Sequence, residues 1–386
     1  MNKQLLKFML NLEEIIEDSK SIYIIGHKDP DFDAIGASVG VSELCKALKK
    51  ESKIIVNEDK FVLQPAVKLL QDSNKKCKFI NNYDYISDLE KSLTREEKLI
   101  YKKLDFFSKQ IFLKDVKIKN SLLVVVDTNN HELLSIKDYL NNFNNIVVID
   151  HHTDREDPNL QGLQYIDSTY SSASEIVGTI LHQYKTKYSK ETALSLASGI
   201  ILDTDTFKRN TTDNTYDTYK VFKQNGVTDE EIRRIFRKDF EADKLVKNLV
   251  FNNGNAQEFT NLLKNHNVSI ILNRHQPETI YKAEMISMAA DERQEYDDVD
   301  ASIVMGYIAC DGQTPVKISI RTNGYVDGGQ LMKDYCENEP NKSGGGSILS
   351  AAATIKDVDL LEEEKCLLNY LDKVVTENFK VKKKVK

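Results

Sequence analysis

The sequence predicts a two-domain α/β protein, in which a parallel-sheet domain is followed by a smaller α/β domain, with a cleft between the two. Three observations lead to this prediction. The chain has 386 residues, which is more than a single hydrophobic core usually accommodates. In its first half, short apolar segments alternate with helical patterns, as they do in domains built on a parallel sheet. A second set of strand-like segments follows a long, charged, helical stretch.

Three apolar segments rich in isoleucine and valine predict the strands of the first domain. Each is short and nearly continuous, which indicates a strand buried on both faces. They cover residues 22–25, 122–126 and 146–149. Helical patterns are expected at residues 34–50, 172–184 and 190–202, and an amphipathic helix is expected near the N-terminus. In such a domain, ligands bind at the carboxyl ends of the strands.

The predicted domain boundaries follow changes in composition along the chain. Residues 1–225 are expected to form the first domain, with a charged helical insertion at about 73–120. A helical linker at 226–267 leads to the second domain at 268–375, and a basic tail occupies 376–386. Strand-like segments at 268–272, 301–309 and 315–321 and a glycine-rich turn at 343–347 are expected in the second domain.

Composition argues against several classes of function. The formal net charge is -7, so the chain as a whole does not attract long nucleic acids, and a nucleotide would be held by local charge or metal. No segment has the roughly 18 consecutive apolar residues of a membrane span. The five cysteines form no CxxC pair, which favours reduced thiols over a thiolate metal site. We therefore expect a cytoplasmic protein that does not act at a membrane.

Four polar clusters follow apolar segments and are the candidates for chemistry. Taken singly, an aspartate at such a place is more simply a helix cap or turn former, and a lone histidine is more often structural. The combination of the four clusters favours a functional site, because the carboxyl ends of parallel strands meet at one edge of a sheet. Aspartates collected there would repel one another unless positive charge lay among them. The residues concerned are His27, Asp31, Asp33, Asp127, His151 and Asp203.

These side chains favour a divalent metal site. Carboxylates and imidazoles without thiolates are suitable ligands for Mn, Mg, Fe or Zn. Two such ions about 3.5–4 Å apart, bridged by a carboxylate, are a common device for phosphoester hydrolysis. The six residues therefore predict a phosphoesterase with a two-metal centre.

The four clusters, in this order, resemble the motifs of the DHH phosphoesterase superfamily, which is named for a triplet such as Asp150-His151-His152. The matching segments are GHKDPDFDAIGA at 26–37, VVVDTNN at 124–130, VVIDHH at 147–152 and GIILDTDTF at 199–207. The C-terminal part resembles the accompanying DHHA1 domain through ISIRTNG at 318–324 and SGGGSILSAAATI at 343–355. Within the superfamily, the nearest resemblance is to the catalytic part of GdpP-type cyclic-di-AMP phosphodiesterases. The membrane helices and sensory domain usual in that group are not found in this sequence, so the resemblance predicts a free-standing cytosolic form.

The resemblance implies how the residues divide their roles. One metal would be held by His27, Asp31 and Asp127, and a second by Asp33, Asp127, His151 and Asp203. Asp127 would bridge the two ions and act in catalysis. His152 would be catalytic by facing the substrate phosphate. The resemblance also favours Mn as the metal and allows a homodimer.

The expected substrate contacts lie mostly in the second domain. Arg321, at the end of a predicted strand, would bind a phosphate through two parallel hydrogen bonds from its guanidinium. A surface ion pair is the other interpretation of this residue. Gly344, Gly345 and Gly346 would bring backbone N–H groups close to a nucleotide. Ser347 stands where the related groups carry a histidine, which leaves the substrate preference open. Arg209 is a further candidate close to the fourth motif.

The predicted function is hydrolysis of cyclic di-AMP to linear pApA, with short linear oligonucleotides as further substrates. The expected partner is therefore a small nucleotide or dinucleotide. Two alternatives stay open. One is a nanoRNase/pAp phosphatase acting on short oligoribonucleotides, and the other is a catalytically weak nucleotide-binding sensor, for which Ser347 is the sequence feature.

Overall fold

The protein divides into two compact units, residues 1–237 and 238–386. The computed structural model describes the backbone of residues 3–56, 74–153, 157–237, 240–252, 256–263, 266–272, 280–296, 299–310, 313–324 and 326–383. Side chains are described within these ranges, except at 252–272 and 375–383. Each unit is an α/β domain with its own sheet, as the sequence predicts.

A parallel sheet of six strands forms the centre of the first unit. The strands are β1 (Ser21–Ile25), β2 (Ser52–Ile55), β3 (Lys78–Ile80), β4 (Ser121–Val126), β5 (Asn145–Asp150) and β6 (Leu163–Ile166). Their order is β3-β2-β1-β4-β5-β6, and every neighbouring pair is parallel. The three strands predicted from apolar segments are β1, β4 and β5, the middle of the sheet. The strand order reverses between β1 and β4, which is where ligands bind in open α/β sheets.

Helices cover both faces of this sheet. They are α1 (Lys3–Asp18), α2 (Phe32–Ala47), α3 (Asn82–Ser92), α4 (Arg95–Tyr101), α5 (Phe106–Lys114), α6 (Ala173–Gln183), α7 (Lys190–Asp203), α8 (Asp213–Gln224) and α9 (Asp229–Ile235). Alternate residues of β4 enter different cores: Leu122 and Val124 pack with α1, α2, α6 and α7, whereas Leu123 and Val125 pack against the side of α3. This double burial explains why β4 is apolar at every position from Leu122 to Val126.

The charged insertion predicted at about 73–120 is mainly helical, with α3, α4 and α5. It also contains a feature that the sequence did not indicate, because Lys78–Ile80 forms the edge strand β3. Asn142 ties the end of α5 to the rest of the unit: its Nδ2 donates to the carbonyl oxygen of Leu113 at 2.9 Å. The insertion is therefore part of the folded domain.

The second unit has a mixed sheet. Its strands are β7 (Ala256–Leu263), β8 (His266–Leu272), β9 (Ala301–Tyr307), β10 (Val316–Thr322), β11 (Lys342–Gly346) and β12 (Ser350–Ile355). They are arranged β11-β12-β10-β9-β8-β7, with β8 and β9 parallel and the other pairs antiparallel. The helices of this unit are α10 (Phe240–Lys247), α11 (Ala283–Gln294), α12 (Gly328–Cys336) and α13 (Leu360–Lys383).

Three expectations for the second unit were wrong in detail. The predicted helical linker at 226–267 includes strand β7, and α13 continues into the predicted tail at 376–386. The glycine-rich segment is not a turn: Gly344 to Gly346 belong to β11 and pair with β12. Gly344 and Gly346 are needed there for close packing, because a Cβ would lie 2.7 Å from Cys336 Sγ at Gly344 and 2.5 Å from the Ala351 backbone at Gly346.

Among the helices of the described residues, none is both long and apolar enough to cross a membrane.

Candidate metal centre

The candidate ligands come from three strand ends and one helix end. His27, Asp31 and Asp33 follow β1, Asp127 follows β4, and His151 follows β5. These three strands are neighbours in the sheet, so their carboxyl ends converge. Asp203 is the last residue of α7, and α7 packs closely on α2, where a Cβ on Gly36 would lie 2.5 Å from the Ser195 carbonyl oxygen. The fold therefore brings all six predicted ligands to one edge of the sheet.

Asp127 lies at the centre of the cluster. Its Oδ2 is 3.5 Å from His27 Nε2, and its Oδ1 is 3.4 Å from His151 Nε2. The two carboxylate oxygens thus face two different imidazoles. Asp127 is buried, and its backbone has a φ of 60°, a conformation that is uncommon for residues other than glycine. Its N–H donates to the Ile149 carbonyl oxygen at 3.0 Å, which ties the end of β4 to β5.

The ligand atoms form two groups that share Asp127. Within each group, all of the candidate atoms lie within 4.8 Å of one another. One group contains His27, Asp31 and Asp127, and the other contains Asp33, Asp127, His151 and Asp203. This is the division that the family resemblance implies. A third, overlapping group contains Asp127, Asp150, His151 and His152.

Local structure fixes two of the carboxylates. Asp31 is the N-cap of α2, and its Oδ1 accepts from the N–H groups of Asp33 and Ala34 at 2.8 and 3.1 Å. Asp33 is fully buried, and its oxygens accept from the N–H groups of Ala173 and Ser174, at 2.7 and 2.8 Å, in the first turn of α6. The partial positive charge of a helix N-terminus stabilises a carboxylate in this position. Each aspartate is therefore held in place before any cation binds.

Both imidazoles of the ligand set lie among carboxylates. Burial lowers the pKa of His27, but contacts with Asp127 and Asp31 outweigh burial and raise the pKa to about 10. Burial acts in the same way on His151, and its contacts with Asp127 and Asp203 raise its pKa to about 12. Each ring thus holds a proton between negative charges. A cation ligated by the same nitrogen and oxygen atoms would take the place of that proton.

The carboxylates compete for the available positive charge. Burial raises the pKa of Asp203 to about 6. Burial and the charges of Asp127 and Asp203 raise the pKa of Asp33 well above its usual range. Burial acts in the same direction on Asp127, but contacts with His151 and His27 outweigh it and hold the pKa of Asp127 well below its usual range. The cluster has more carboxylates than its own histidines can neutralise.

Two atoms of the cluster lack hydrogen bonds in a way that fits a metal site. Among the described residues, neither the buried Asp127 Oδ1 nor the buried His151 Nε2 has a partner in hydrogen-bond geometry, although His151 Nε2 lies 3.4 Å from Asp127 Oδ1 and 3.1 Å from Asp203 Oδ2. Leaving such atoms unpaired is costly, and binding of an ion is one of the few explanations. A carboxylate oxygen and an imidazole nitrogen that face each other are a suitable ligand pair for a divalent cation. The residues present therefore fit two divalent cations that share Asp127.

His152 lies beside the ligand groups but has a different environment. Its side chain is 59% exposed, and its Nδ1 lies 2.8 Å from Asp150 Oδ1. Asp150 Oδ1 also accepts from the N–H groups of His151 and His152, at 2.9 and 3.3 Å. The contact with Asp150 raises the pKa of His152. Asp150 therefore orients the ring so that Nε2 is left for another partner.

The predicted site gives Asp150 no role of its own, although it stands in the triplet itself. Nor does it include the N–H groups of Ala173 and Ser174, which hold Asp33. Asp150 had an available signal, since a buried aspartate directly before two histidines is well placed to orient one of them. The contact from α6 had none, because it joins residues 140 positions apart in the chain.

The predicted substrate residues are divided between the two units. Arg209 is exposed, six residues beyond Asp203. In the second unit, Arg321 lies opposite Ser350 in the β10–β12 register, and Ser347 Oγ accepts from the Ser350 N–H at 3.2 Å. Arg321 and Ser347 therefore share one end of that sheet. The guanidinium of Arg321 is paired with Asp291, with Nε to Oδ1 at 2.5 Å and Nη2 to Oδ2 at 3.3 Å, so the ion-pair interpretation describes its present contacts.

Two family models match this sequence. Residues 21–200 match the N-terminal domain of the DHH family, and residues 267–377 match the DHHA1 domain. The matched segments contain five of the six candidate ligands and the Arg321 segment, while Asp203 lies just beyond the first.

Among curated relatives, the cyclic-di-AMP phosphodiesterase PdeA of Listeria monocytogenes is 28% identical over 371 residues, which cover 94% of this chain and 49% of that protein. The cyclic-di-AMP phosphodiesterase GdpP of Bacillus subtilis is 27% identical over 372 residues, with the same coverage. The chain thus spans about half the length of the curated relatives it matches. A probable bifunctional oligoribonuclease and PAP phosphatase, NrnA of Streptococcus mutans, is 29% identical over 187 residues, 48% of this chain and 46% of that protein.

A solved structure has the same fold over almost the whole chain. It is an exopolyphosphatase-related protein from Bacteroides fragilis, 18% identical, with a TM-score of 0.71 and coverage of 96% of this chain and 97% of that chain.

Proposed function

This chain belongs to the DHH family and carries a DHHA1 domain, and on that basis we propose that it is a metal-dependent phosphodiesterase that opens cyclic di-AMP to linear pApA. Short linear oligonucleotides are proposed as further substrates. The relatives named cyclic-di-AMP phosphodiesterases, which match 94% of this chain, support the choice of substrate. We further propose that Mn is the metal and that the protein acts in the cytoplasm.

One observation carries the proposal. The two oxygens of Asp127 face two separate ligand groups, each made of carboxylate and imidazole. This is the arrangement expected of a carboxylate that bridges two cations. A protein that only binds a nucleotide has no need of a complete ligand set for two metals, which argues against the sensor alternative.

The chemistry divides between the cations and the chain. Two divalent cations at this site would stabilise charge on the phosphoryl oxygens and supply an activated water. His152 would donate a charge-assisted hydrogen bond from Nε2 to a phosphate oxygen, because Asp150 engages Nδ1 and raises the pKa of the ring. Asp33 and Asp31 keep their positions through backbone N–H groups, so the ligand set is formed in advance.

The second unit is proposed to hold the nucleotide through Arg321 and Ser347, with Gly344 to Gly346 beside them. Their placement at one end of the same sheet supports this role. Arg321 would exchange the carboxylate of Asp291 for a phosphate, since both offer two oxygens to a guanidinium.

The second candidate function is that of a nanoRNase/pAp phosphatase. The relative named as a probable oligoribonuclease and PAP phosphatase favours it, although the match covers only 48% of this chain. Both functions would use the same metal centre, so the two differ in the nucleotide that is bound.

A substrate panel separates these functions. Purified protein supplied with Mn is given cyclic di-AMP, cyclic di-GMP, pApA and pAp, and the products are followed by chromatography. We expect cyclic di-AMP to be converted to pApA faster than cyclic di-GMP is opened. Release of AMP from pApA with cyclic di-AMP left intact would support the nanoRNase function instead. Binding of metal and nucleotide without any turnover would support the sensor.

Replacing Asp150 by alanine is expected to lower kcat by about 10–100-fold, the usual cost of losing a residue that orients a functional histidine. The bound metal should stay near the wild-type amount. Steady-state kinetics and metal analysis of the purified variant provide the measurement.

The control for Asp150→Ala is the same substitution in a His152→Ala background. If Asp150 acts through His152, the second substitution adds little to the first. Additive losses, or loss of the metal in Asp150→Ala alone, would contradict the orienting role.

A further inference from the structure

Two aromatic rings stack on each other in the segments that follow Asp203 in the chain. Phe207 and Tyr216 have ring centroids 5.2 Å apart and an interplanar angle of 19°, and Tyr219 meets Phe207 edge-on at 4.9 Å. Phe207 packs against the main core of the first unit, whereas Tyr216 is 51% exposed. Tyr216 therefore rests on a fixed ring while much of its own surface remains accessible.

The chain holds Phe207 close to the ligand Asp203. Phe207 lies four residues beyond it, in a turn where Asp205, Thr206 and Phe207 have φ values of 46°, 58° and 63°. Such a run of left-handed residues is unfavourable without glycine and persists only where its surroundings enforce it. Here, the Phe207 N–H donates to Thr204 Oγ1 at 3.0 Å. Strain of this kind is common at functional sites.

The residues next to Tyr216 in the chain are linked through α6 to the candidate ligand Asp33. Its neighbour Thr215 donates from Oγ1 to Glu175 Oε2 at 2.9 Å, and Asn214 Nδ2 donates to Glu175 Oε1 at 2.6 Å. Glu175 is in the first turn of α6, the turn whose N–H groups hold Asp33. The segments that carry the stacked pair are therefore connected to two candidate ligands, to Asp203 along the chain and to Asp33 through Glu175 and α6.

Packing alone accounts poorly for Tyr216. A ring that is half exposed gains little from burial, and within the described part of the chain its hydroxyl has a long contact to Thr211 Oγ1 at 3.5 Å. The positively charged side chains of Lys208 and Arg209 are exposed in the same turn, where Lys208 Nζ lies 3.4 Å from Asp205 Oδ2. An accessible aromatic surface beside positive charge is the combination that binds single nucleotides, because bases stack on the ring and phosphates meet the cations.

We propose that Phe207 and Tyr216 form a platform on which a purine base of the substrate stacks while its phosphoester lies at the metal centre. The inference rests on the proposed function and deepens it. The platform contributes to affinity for the base and does not take part in bond cleavage.

The test compares wild-type protein with Tyr216→Ala and Tyr216→Phe. The probe is pApA in which one adenine is replaced by 2-aminopurine, whose fluorescence is quenched when it stacks, and binding is measured with Mn present. The wild type and Tyr216→Phe should quench the probe with similar Kd values. Tyr216→Ala should raise Kd by about 10–100-fold, the size of one base-stacking contact, and should lose most of the quenching.

Two controls separate stacking from a general defect. Phe107→Ala removes another exposed ring of the same unit, 78% accessible on α5, and should leave Kd unchanged. An analogue of pApA without its bases should bind the wild type and Tyr216→Ala equally. Unchanged Kd and quenching in Tyr216→Ala, or an equal loss of affinity for the base-free analogue, would overturn the platform. A wild type that binds and quenches the probe through Tyr216 without hydrolysing any nucleotide would leave the platform standing and reject the proposed phosphodiesterase.

Discussion

Replacing Asp127 by asparagine is expected to remove most of the bound metal and to lower turnover by more than about 100-fold. This loss is larger than the one usually seen when a residue that only supports a metal ligand is substituted. Asp127 offers one oxygen to each ligand group. Asparagine keeps the shape of the side chain but places an amide donor where one of these oxygens stands. It also tolerates the positive φ of this position, so the backbone should be undisturbed.

Metal content by mass spectrometry and kcat at saturating substrate test this prediction. Asp205→Asn is a matched control, because Asp205 also has a positive φ, at 46°, but is exposed and lies outside the ligand groups. It should keep both the metal and the activity. If the Asp127→Asn protein kept the wild-type metal content, this result would contradict the bridging role proposed for Asp127.

Gly199→Ala should cost about 1–3 kcal/mol of folding stability, as overpacking in a core does, and should also weaken metal binding. A Cβ at this position would lie 2.5 Å from Asp33 Oδ1 and even closer to Ser174 Oγ. Neither group can move away easily, because the Ser174 N–H holds the same Asp33 oxygen at 2.8 Å. The added methyl group is therefore expected to displace the candidate ligand Asp33 as well as α7, the helix that carries Gly199.

Urea unfolding with and without Mn separates the two effects of Gly199→Ala. In a chelator, the loss of stability reports packing alone, whereas in Mn it also includes the lost metal binding. Gly40→Ala is the control, since the atoms nearest to its Cβ would be the side-chain ends of Val177 and Leu196. Gly40→Ala should lose stability equally with and without Mn. A Gly199→Ala protein that binds Mn like the wild type would show that Asp33 is not displaced.

Much of the first unit follows from local sequence. The central strands β1, β4 and β5 are buried on both faces, so their apolar segments could be recognised without any knowledge of the fold. The ligands stand directly after those strands, and the geometry of parallel sheets brings strand ends together. His27, Asp127 and His151 were therefore predictable as neighbours.

Features that depend on distant contacts were not predictable. The glycines of β11 resemble a turn in sequence, and only the close approach of β12 shows why the strand needs Gly346. Arg321 ends its predicted strand as expected, but its partner Asp291 is 30 residues away and on a helix. The pairing of Phe207 with Tyr216 likewise depends on how separate segments meet.

The most direct test of the two-metal centre is a titration of the metal-free protein with Mn followed by electron paramagnetic resonance. Two Mn ions about 3.5–4 Å apart and bridged by Asp127 should bind per chain and give the broad spectrum of a coupled pair. Asp127→Asn should lose that spectrum. Binding of a single ion, or of two that keep the separate six-line signals of isolated Mn, would contradict a centre bridged by Asp127.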